Sequence, residues 1–287
     1  IDGASVRHTT DRCQSWNMIN ASQTSYDCSS LTLSSSSNNP TIKYIINGQL
    51  HSLSGGEDGE EGTDYLFSSE LVFKKVFPDN RDTSRLFLTD TAGILYFKDG
   101  EHLIPVEKIN GTITSMQSDP TETNRYWLSV GDSLLSLTID GTSTDFDFLE
   151  TPGQGAISDF ALIGNQSMGT IWISKGSAVY QSLDNGQTWV SKSAGLNGDT
   201  KTLEVNPLNE NQLFVATTSG IYRSDNAGDS WRSILGGIQA CKIRCSPNSN
   251  GIVAIGIGQD DSTPLSLGYS EDGGDSWRSI SAKELQY

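Results

Sequence analysis

One eight-residue pattern recurs three times in the C-terminal half of this chain, and it limits what the chain can fold into. Ser182-Leu183-Asp184-Asn185-Gly186-Gln187-Thr188-Trp189 is followed by Ser224-Asp225-Asn226-Ala227-Gly228-Asp229-Ser230-Trp231 and then by Ser270-Glu271-Asp272-Gly273-Gly274-Asp275-Ser276-Trp277. The first serines lie 42 and then 46 residues apart, a period that suits one four-stranded unit of a repeating β architecture. Each copy follows a short apolar strand and opens another, so it reads as a hairpin turn. Asp184 and Asp272, with Asn226 standing in for them in the middle copy, can accept backbone N–H bonds and hold the turn. Gly186, Gly228 and Gly274 supply the positive φ that such a turn requires. The Ser or Thr two residues after that glycine can bond across the turn. Trp189, Trp231 and Trp277 are expected to bury a large surface between neighbouring sheets, each with an indole N–H that needs a carbonyl. Nothing in the pattern needs a substrate, so these residues, with Ser182, Ser224 and Ser270, read as structural.

The frame extends outward. The strands expected around the first copy are Ile157 to Ile163, Thr170 to Ser174, Ala178 to Leu183 and Thr188 to Ser193. Comparable short runs rich in Val, Ile, Leu and aromatics flank the other two copies, as half-buried sheet strands should. Upstream the turns are degraded: Thr138-Ile139-Asp140-Gly141, Lys98-Asp99-Gly100, and an acidic insertion over Gly55 to Thr63. No segment reads as a long amphipathic helix. The expectation is an all-β propeller of four-stranded blades, six most readily counted and seven the alternative. Residues 29–287 would form it. Residues 1–28 fall outside the repeat and would close the ring by adding a strand, because an open ring leaves exposed edges.

Charge narrows the partners. Lys plus Arg number 19 against 35 Asp plus Glu, for a net charge of -16. Phosphate recognition needs clustered cations, so nucleic acid is an unexpected partner, and so is an anionic membrane surface. A neutral, cationic or calcium-bridged partner fits better. No apolar run approaches the roughly 20 residues that span a bilayer. The start, Ile1-Asp2-Gly3, lacks Met and a signal peptide and reads as a mature or trimmed N-terminus. With abundant Ser and Thr, this points to a secreted, periplasmic or cell-surface location. The four cysteines are Cys13, Cys28, Cys241 and Cys245. Outside the cytosol an even count suggests disulfides, with three connectivities open. Cys241 and Cys245 sit in one expected strand, where about 13 Å would separate their Cα atoms, too far for a bridge unless a bulge intervenes. Cys13 with Cys28 is the preferred pair.

The Ser-x-Asp-x-Gly-x-Thr-Trp pattern resembles Asp-box, or BNR, repeats, and the resemblance covers roughly residues 29 to 281 if the degraded copies count. That superfamily includes sialidases, sortilin-type receptors, xyloglucan-cleaving glycoside hydrolases and photosystem II assembly factors. It implies a propeller and leaves the activity open, since fold and function separate on this scaffold. The Arg-Ile-Pro motif of sialidases is missing, and Arg223, Arg232 and Arg278 lie beside the boxes rather than converging on a centre. The two-propeller cleft of the xyloglucan hydrolases and the ten blades of the sortilin type do not fit this length. The basic patch of the photosystem factors does not fit this charge.

Propeller ligands usually bind where the loops from fourth to first strands and from second to third strands gather. Asp90, Asp132, Glu150, Asp199, Asp260 and Asp261 are expected there, the last two in the longest such loop, Gly258 to Pro264. Carboxylates on that face could hold calcium or act as general acid and base on a glycan, although short acidic loops are commonly solvated turns. The insertion Glu57 to Asp64 lacks the spacing of an EF-hand loop. His8, His51 and His102 are scattered, and Trp16, Trp127 and Trp172 could stack on sugars, with packing the better assignment for the last two. No catalytic residue is assigned and no cofactor is expected, calcium excepted. The reading is a binding or scaffold propeller for a protein or glycan, and the alternative is a glycan-active hydrolase or lyase using loop-face carboxylates.

Overall fold

The computed structural model describes residues 7–8, 17–18, 28–36, 39–46, 48–54, 63–65, 71–79, 81–82, 84–100, 102–141, 143–164, 169–246, 249–258 and 266–281. Among them there is no helix. β1 (Arg7–His8) and β2 (Asn17–Met18) pair with one another. Six four-stranded antiparallel sheets follow among the described residues, each a meander of strands consecutive in the chain. The first sheet holds β3 (Cys28–Ser36), β4 (Asn39–Ile46), β5 (Gln49–Ser54) and β6 (Thr63–Tyr65). The second holds β7 (Phe73–Pro78), β8 (Arg85–Asp90), β9 (Ile94–Asp99) and β10 (His102–Lys108). The third holds β11 (Ile113–Ser118), β12 (Arg125–Val130), β13 (Ser133–Asp140) and β14 (Ser143–Leu149). The fourth holds β15 (Ile157–Ile163), β16 (Thr170–Lys175), β17 (Ala178–Ser182) and β18 (Val190–Ser191). The fifth holds β19 (Thr200–Asn206), β20 (Asn209–Thr217), β21 (Gly220–Ser224) and β22 (Arg232–Gly236). The sixth holds β23 (Ile238–Cys245), β24 (Ile252–Gly258), β25 (Ser266–Ser270) and β26 (Arg278–Ser281).

The chain divides into two compact units. One comprises Ile1–Thr112, Met116–Ser118 and Ile139–Thr144; the other comprises Ile113–Ser115, Asp119–Thr138 and Asp145–Tyr287. In the first unit, Ile45 and Leu50 of the first sheet pack against Phe73, Val76, Leu86 and Leu88 of the second. In the second unit, the fifth sheet shows why its second strand reads as a continuous apolar run. Leu213 and Val215 of β20 join a core with Trp172 and Val179 of the fourth sheet. The alternate residues Phe214 and Ala216 join one with Ile243 and Ile252 of the sixth. Successive side chains of a strand point to opposite faces, so a strand buried on both faces carries apolar residues at every position.

Backbone bonds stitch the first sheet to the second, the third to the fourth and the fourth to the fifth. The Phe73 N–H donates to the Gly48 carbonyl (2.8 Å), Ile157 to Gly131 (2.7 Å) and Thr200 to Gly176 (2.7 Å). Each acceptor sits in the turn from second to third strand, and each donor opens the following first strand. Just inside, the first strands carry a bulge, between Phe73 and Lys75, Ile157 and Asp159, Thr200 and Thr202, and Ala240 and Lys242. A bulge re-aims the side chains that follow it.

One glycine outside the boxes is fixed by close approach. Gly220 has φ of +132°, and a Cβ there would lie 2.2 Å from the Leu235 carbonyl oxygen. Gly220→Ala is therefore expected to cost about 2 kcal/mol, from strain and a backbone clash that no rotamer relieves. Urea unfolding checks this, and an unchanged midpoint would contradict it.

Candidate functional site

The three boxes share one hydrogen-bond pattern. Asp184 Oδ1 accepts the Thr188 N–H (2.8 Å) and Oδ2 the Thr188 hydroxyl (2.5 Å); Asp272 takes the Ser276 N–H (2.8 Å) and hydroxyl (2.5 Å) in the same way. Asn226 Oδ1 accepts the Ser230 N–H (3.0 Å), and its amide donates to the Ser230 hydroxyl (2.9 Å). These bonds hold the Asp184 carboxyl down to about 2, and they lower Asp272 as well. The box serine does more than its sequence position announced. Ser182, Ser224 and Ser270 are buried, and each hydroxyl accepts the N–H of the box glycine (2.7, 2.9 and 2.8 Å) while donating to the Asp or Asn. Gly186, Gly228 and Gly274 have φ of +85°, +77° and +92°. The residues before them, Asn185, Ala227 and Gly273, are also left-handed, which makes each turn a pair of positive-φ residues as in type I′ hairpins.

The tryptophans reach back to the preceding sheet. Trp231 Nε1 donates to the Lys192 carbonyl (2.7 Å), and Trp277 Nε1 to the Ile234 carbonyl (3.1 Å). Trp189 departs from this: its Nε1 is buried with no partner among the described residues. Trp127 and Trp172, at 3% and 1% exposure, are packing residues with no face to offer a sugar. His51 is buried and stacks on Tyr44.

The expected loop-face residues separate into two kinds. Asp132 lies in the turn after β12, Glu150 follows β14 and Asp199 precedes β19, so all three stand at the same end of their sheets, and all are exposed. Among the described residues the Glu150 and Asp199 carboxylates have neither an ion pair nor a hydrogen bond, and the Asp132 carboxylate accepts one bond, from the neighbouring Ser133 (3.2 Å), while its carbonyl accepts the Thr151 hydroxyl (2.6 Å) and Lys175 Nζ (3.1 Å). Asp90 is different. It is buried, Oδ1 accepts the Ala92 and Ile94 N–H groups (both 2.9 Å), and Oδ2 accepts the Tyr96 hydroxyl (3.0 Å). The expectation that Asp90 faces a ligand is corrected: its carboxylate closes its own turn. Asp260, Asp261, Cys13, the Cys28 side chain and the insertion over residues 55–62 lie outside the described residues. Cys245 is a free thiol, so the bulge at Cys241 does not bring a bridge about.

Two sets of polar residues escaped the sequence reading. The first turns carry buried acceptors: Asp79, Asp119 and Asn206. Their signal was a neighbouring proline at each strand end, in Pro78-Asp79, Asp119-Pro120 and Asn206-Pro207, since such pairs favour turns. The second set sits on first strands of the second unit. Asp159 (β15) is buried, with Oδ1 on the Phe160 N–H (3.0 Å) and Oδ2 on the Leu203 N–H (3.4 Å). Glu204 (β19) pairs with Arg244 (β23), and Lys242 lies beside them. Burial pushes Asp159 up against the pull of Lys242 and Arg244. Burial, aided by Asp159, carries Glu204 up to about 7 although Arg244 and Lys242 oppose it, and its side chain keeps 22% exposure. The signal was charge inside apolar strands, Ser-Asp-Phe and Leu-Glu-Val, where a polar residue is the informative one.

Among the described residues no group of three or more His, Cys, Asp or Glu is arranged to hold a metal ion, and no helix is long and apolar enough to cross a membrane. A GH74 enzyme of Niastella koreensis superposes with a TM-score of 0.65 over 89% of this chain, at 15% identity. YCF48 bound to a D1 peptide does so at 0.58 over 91%, also at 15% identity, and the WD40 β-propeller domain of Doa1 at 0.63 over 89%, at 11%. The fold is a β-propeller.

Its likeness to these structures is one of fold alone. The propeller covers 45% of the Niastella enzyme and 31% of an ancestral GH74 enzyme, so it spans less than half the length of either. It covers 85% of YCF48 and 83% of the Doa1 domain. No protein-family model matches the sequence, and no curated protein matches it.

Proposed function

We propose that this propeller is an extracytoplasmic, non-enzymatic binding module that recognises a protein or glycan through the loop end bearing Asp132, Glu150 and Asp199, with Asp260 and Asp261, which lie between β24 and β25 in the sequence. The observation that carries this reading is an asymmetry of pairing. Around the boxes and first turns, carboxylates are held by cations: Asp119 by Arg125 (2.8 Å), Asp225 by Arg223 (2.6 Å), Asp275 by Arg223 and Arg232 (3.2 and 3.0 Å) and Asp229 by Lys192 (2.5 Å). At the opposite end Asp132, Glu150 and Asp199 are exposed and, among the described residues, have no ion pairs. An unpaired acidic surface favours a partner rich in cations or hydrogen-bond donors, and it speeds encounter with one. YCF48 bound to a D1 peptide, and a propeller in a mitotic checkpoint complex at a TM-score of 0.63, are relatives in fold that sit in protein assemblies.

The second reading is a glycan-active hydrolase or lyase, favoured by the fold likeness to GH74 enzymes. The role of the loop end is tested by a variant in which Asp132, Asp199 and Glu150 become Asn, Asn and Gln. On an array of glycans and basic peptides, retention of the wild type is expected to fall at least tenfold in the triple variant, with the melting temperature unchanged. Equal retention of the two proteins would remove the loop end from the proposal.

A further inference from the structure

We infer that the first strands of the fifth and sixth sheets form a small oxyanion site, with Lys242 and Arg244 as its cationic ligands. The reading is independent of the loop-end proposal and uses none of its residues.

The repeat itself marks the position. In the second unit the bulge delivers Asp159, Thr202 and Lys242 to corresponding places on β15, β19 and β23, the place that Lys75 takes on β7 of the first unit. At the first two, the side chain is an acceptor that binds the following sheet: Asp159 takes the Leu203 N–H (3.4 Å) and Thr202 Oγ1 takes the Ile243 N–H (3.0 Å). A lysine carries three donors and no acceptor, so Lys242 cannot serve this stitching role. It is exposed and, among the described residues, has neither hydrogen bond nor ion pair. Arg244, two residues on and on the same face of β23, uses only Nη1, toward Glu204 and the Ile243 carbonyl. Among the described residues nothing bonds its Nε or Nη2, and its side chain is 52% exposed.

Two neighbouring cations with unused donors are the chemistry that binds a sulfate, a phosphate or a carboxylate group. The groups facing Glu204 are Arg244, Lys242 and Cys245 from β23 and Asp159 from β15. When Glu204 is protonated, its charge no longer offsets the two cations. The chain's overall negative charge is screened beyond about 10 Å, so the local cations decide. An oxyanion bound there would draw a proton to Glu204, which links affinity to pH.

Calorimetric titration with sulfate against chloride, at constant ionic strength, tests the site. Sulfate is expected to bind about tenfold more tightly at pH 6 than at pH 8, following the protonated fraction of a group titrating near 7. Lys242→Gln and Arg244→Gln should each weaken sulfate binding at least tenfold, and Lys242→Arg should keep it within about threefold. Lys201→Gln, on the exposed surface of β19, should leave it unchanged. Glu204→Gln should abolish the pH dependence while retaining the tight form. Melting curves of each variant establish that it is folded. Sulfate binding no tighter than chloride, or equal in wild type, Lys242→Gln and Lys201→Gln, would overturn the assignment.

Discussion

Asp119→Ala is expected to lower the unfolding free energy by about 3–5 kcal/mol, the range seen when one partner of a buried ion pair is removed. The Asp119 carboxylate is 3% exposed and organises the whole first turn of the third sheet. Oδ1 accepts the Thr121 N–H (2.8 Å), the Thr121 hydroxyl (2.7 Å) and the Glu122 N–H (3.0 Å). Oδ2 accepts Arg125 Nε (2.8 Å) and Trp127 Nε1 (2.7 Å). Truncation leaves the buried indole N–H and part of the guanidinium without acceptors, and unmade bonds of buried groups cost more than made ones contribute. Asp119→Asn keeps one acceptor oxygen and should cost about half as much. Burial alone would push this carboxyl up, but the bonds from Trp127, Thr121 and Arg125 outweigh it and hold it well below the usual carboxylate range. Its contribution is therefore present above about pH 3.8 and lost as pH falls below that. Urea titrations at pH 6 measure the two variants; a loss under 1 kcal/mol for Asp119→Ala would contradict the account.

Glu204 has the opposite sign. Its carboxyl is raised from 4.5 to about 7, so the folded protein holds this proton more tightly than the unfolded chain. That contribution is fully present below pH 4.5 and is lost as pH rises through about 7. The loss amounts to at most about 3 kcal/mol, and partial exposure of the side chain reduces it. Glu204→Gln keeps the shape and an acceptor for Arg244 without the charge. At pH 8 it is expected to stabilise the protein by about 1–3 kcal/mol, and at pH 4 to change little. With the lowered aspartates acting below pH 3.8, wild-type stability should peak near pH 4 to 5. A variant less stable than wild type at pH 8 would show that Glu204 is held as a carboxylate.

The parts of the fold that were legible in the sequence are those where local chemistry dictates conformation. Gly186 and Gly228 mark turns because only a left-handed residue closes them, and the strands between boxes carry the apolar pattern of sheets buried on both faces. The first strand of the fourth sheet was bounded to the residue, Ile157–Ile163. Its last strand was not: it pairs only over Val190–Ser191, because the turn and Trp189 take the residues before it. The site was less legible. Asp90, Asp132 and Asp199 look alike as loop carboxylates, but only the register of Asp90 with Ala92, Ile94 and Tyr96 turns it inward. Asp159, Glu204 and Lys242 meet through three strands more than 80 residues apart in total, and no spacing in the chain announces such a meeting.

The central claim, a binding propeller rather than a hydrolase, is tested most directly by incubating the protein with a panel of polysaccharides, sialosides and basic peptides while recording both retained protein and released reducing ends. Retention without release, lost in the triple loop-end variant, is the predicted result. Released reducing ends that vanish in the same variant would contradict the claim and make this propeller an enzyme.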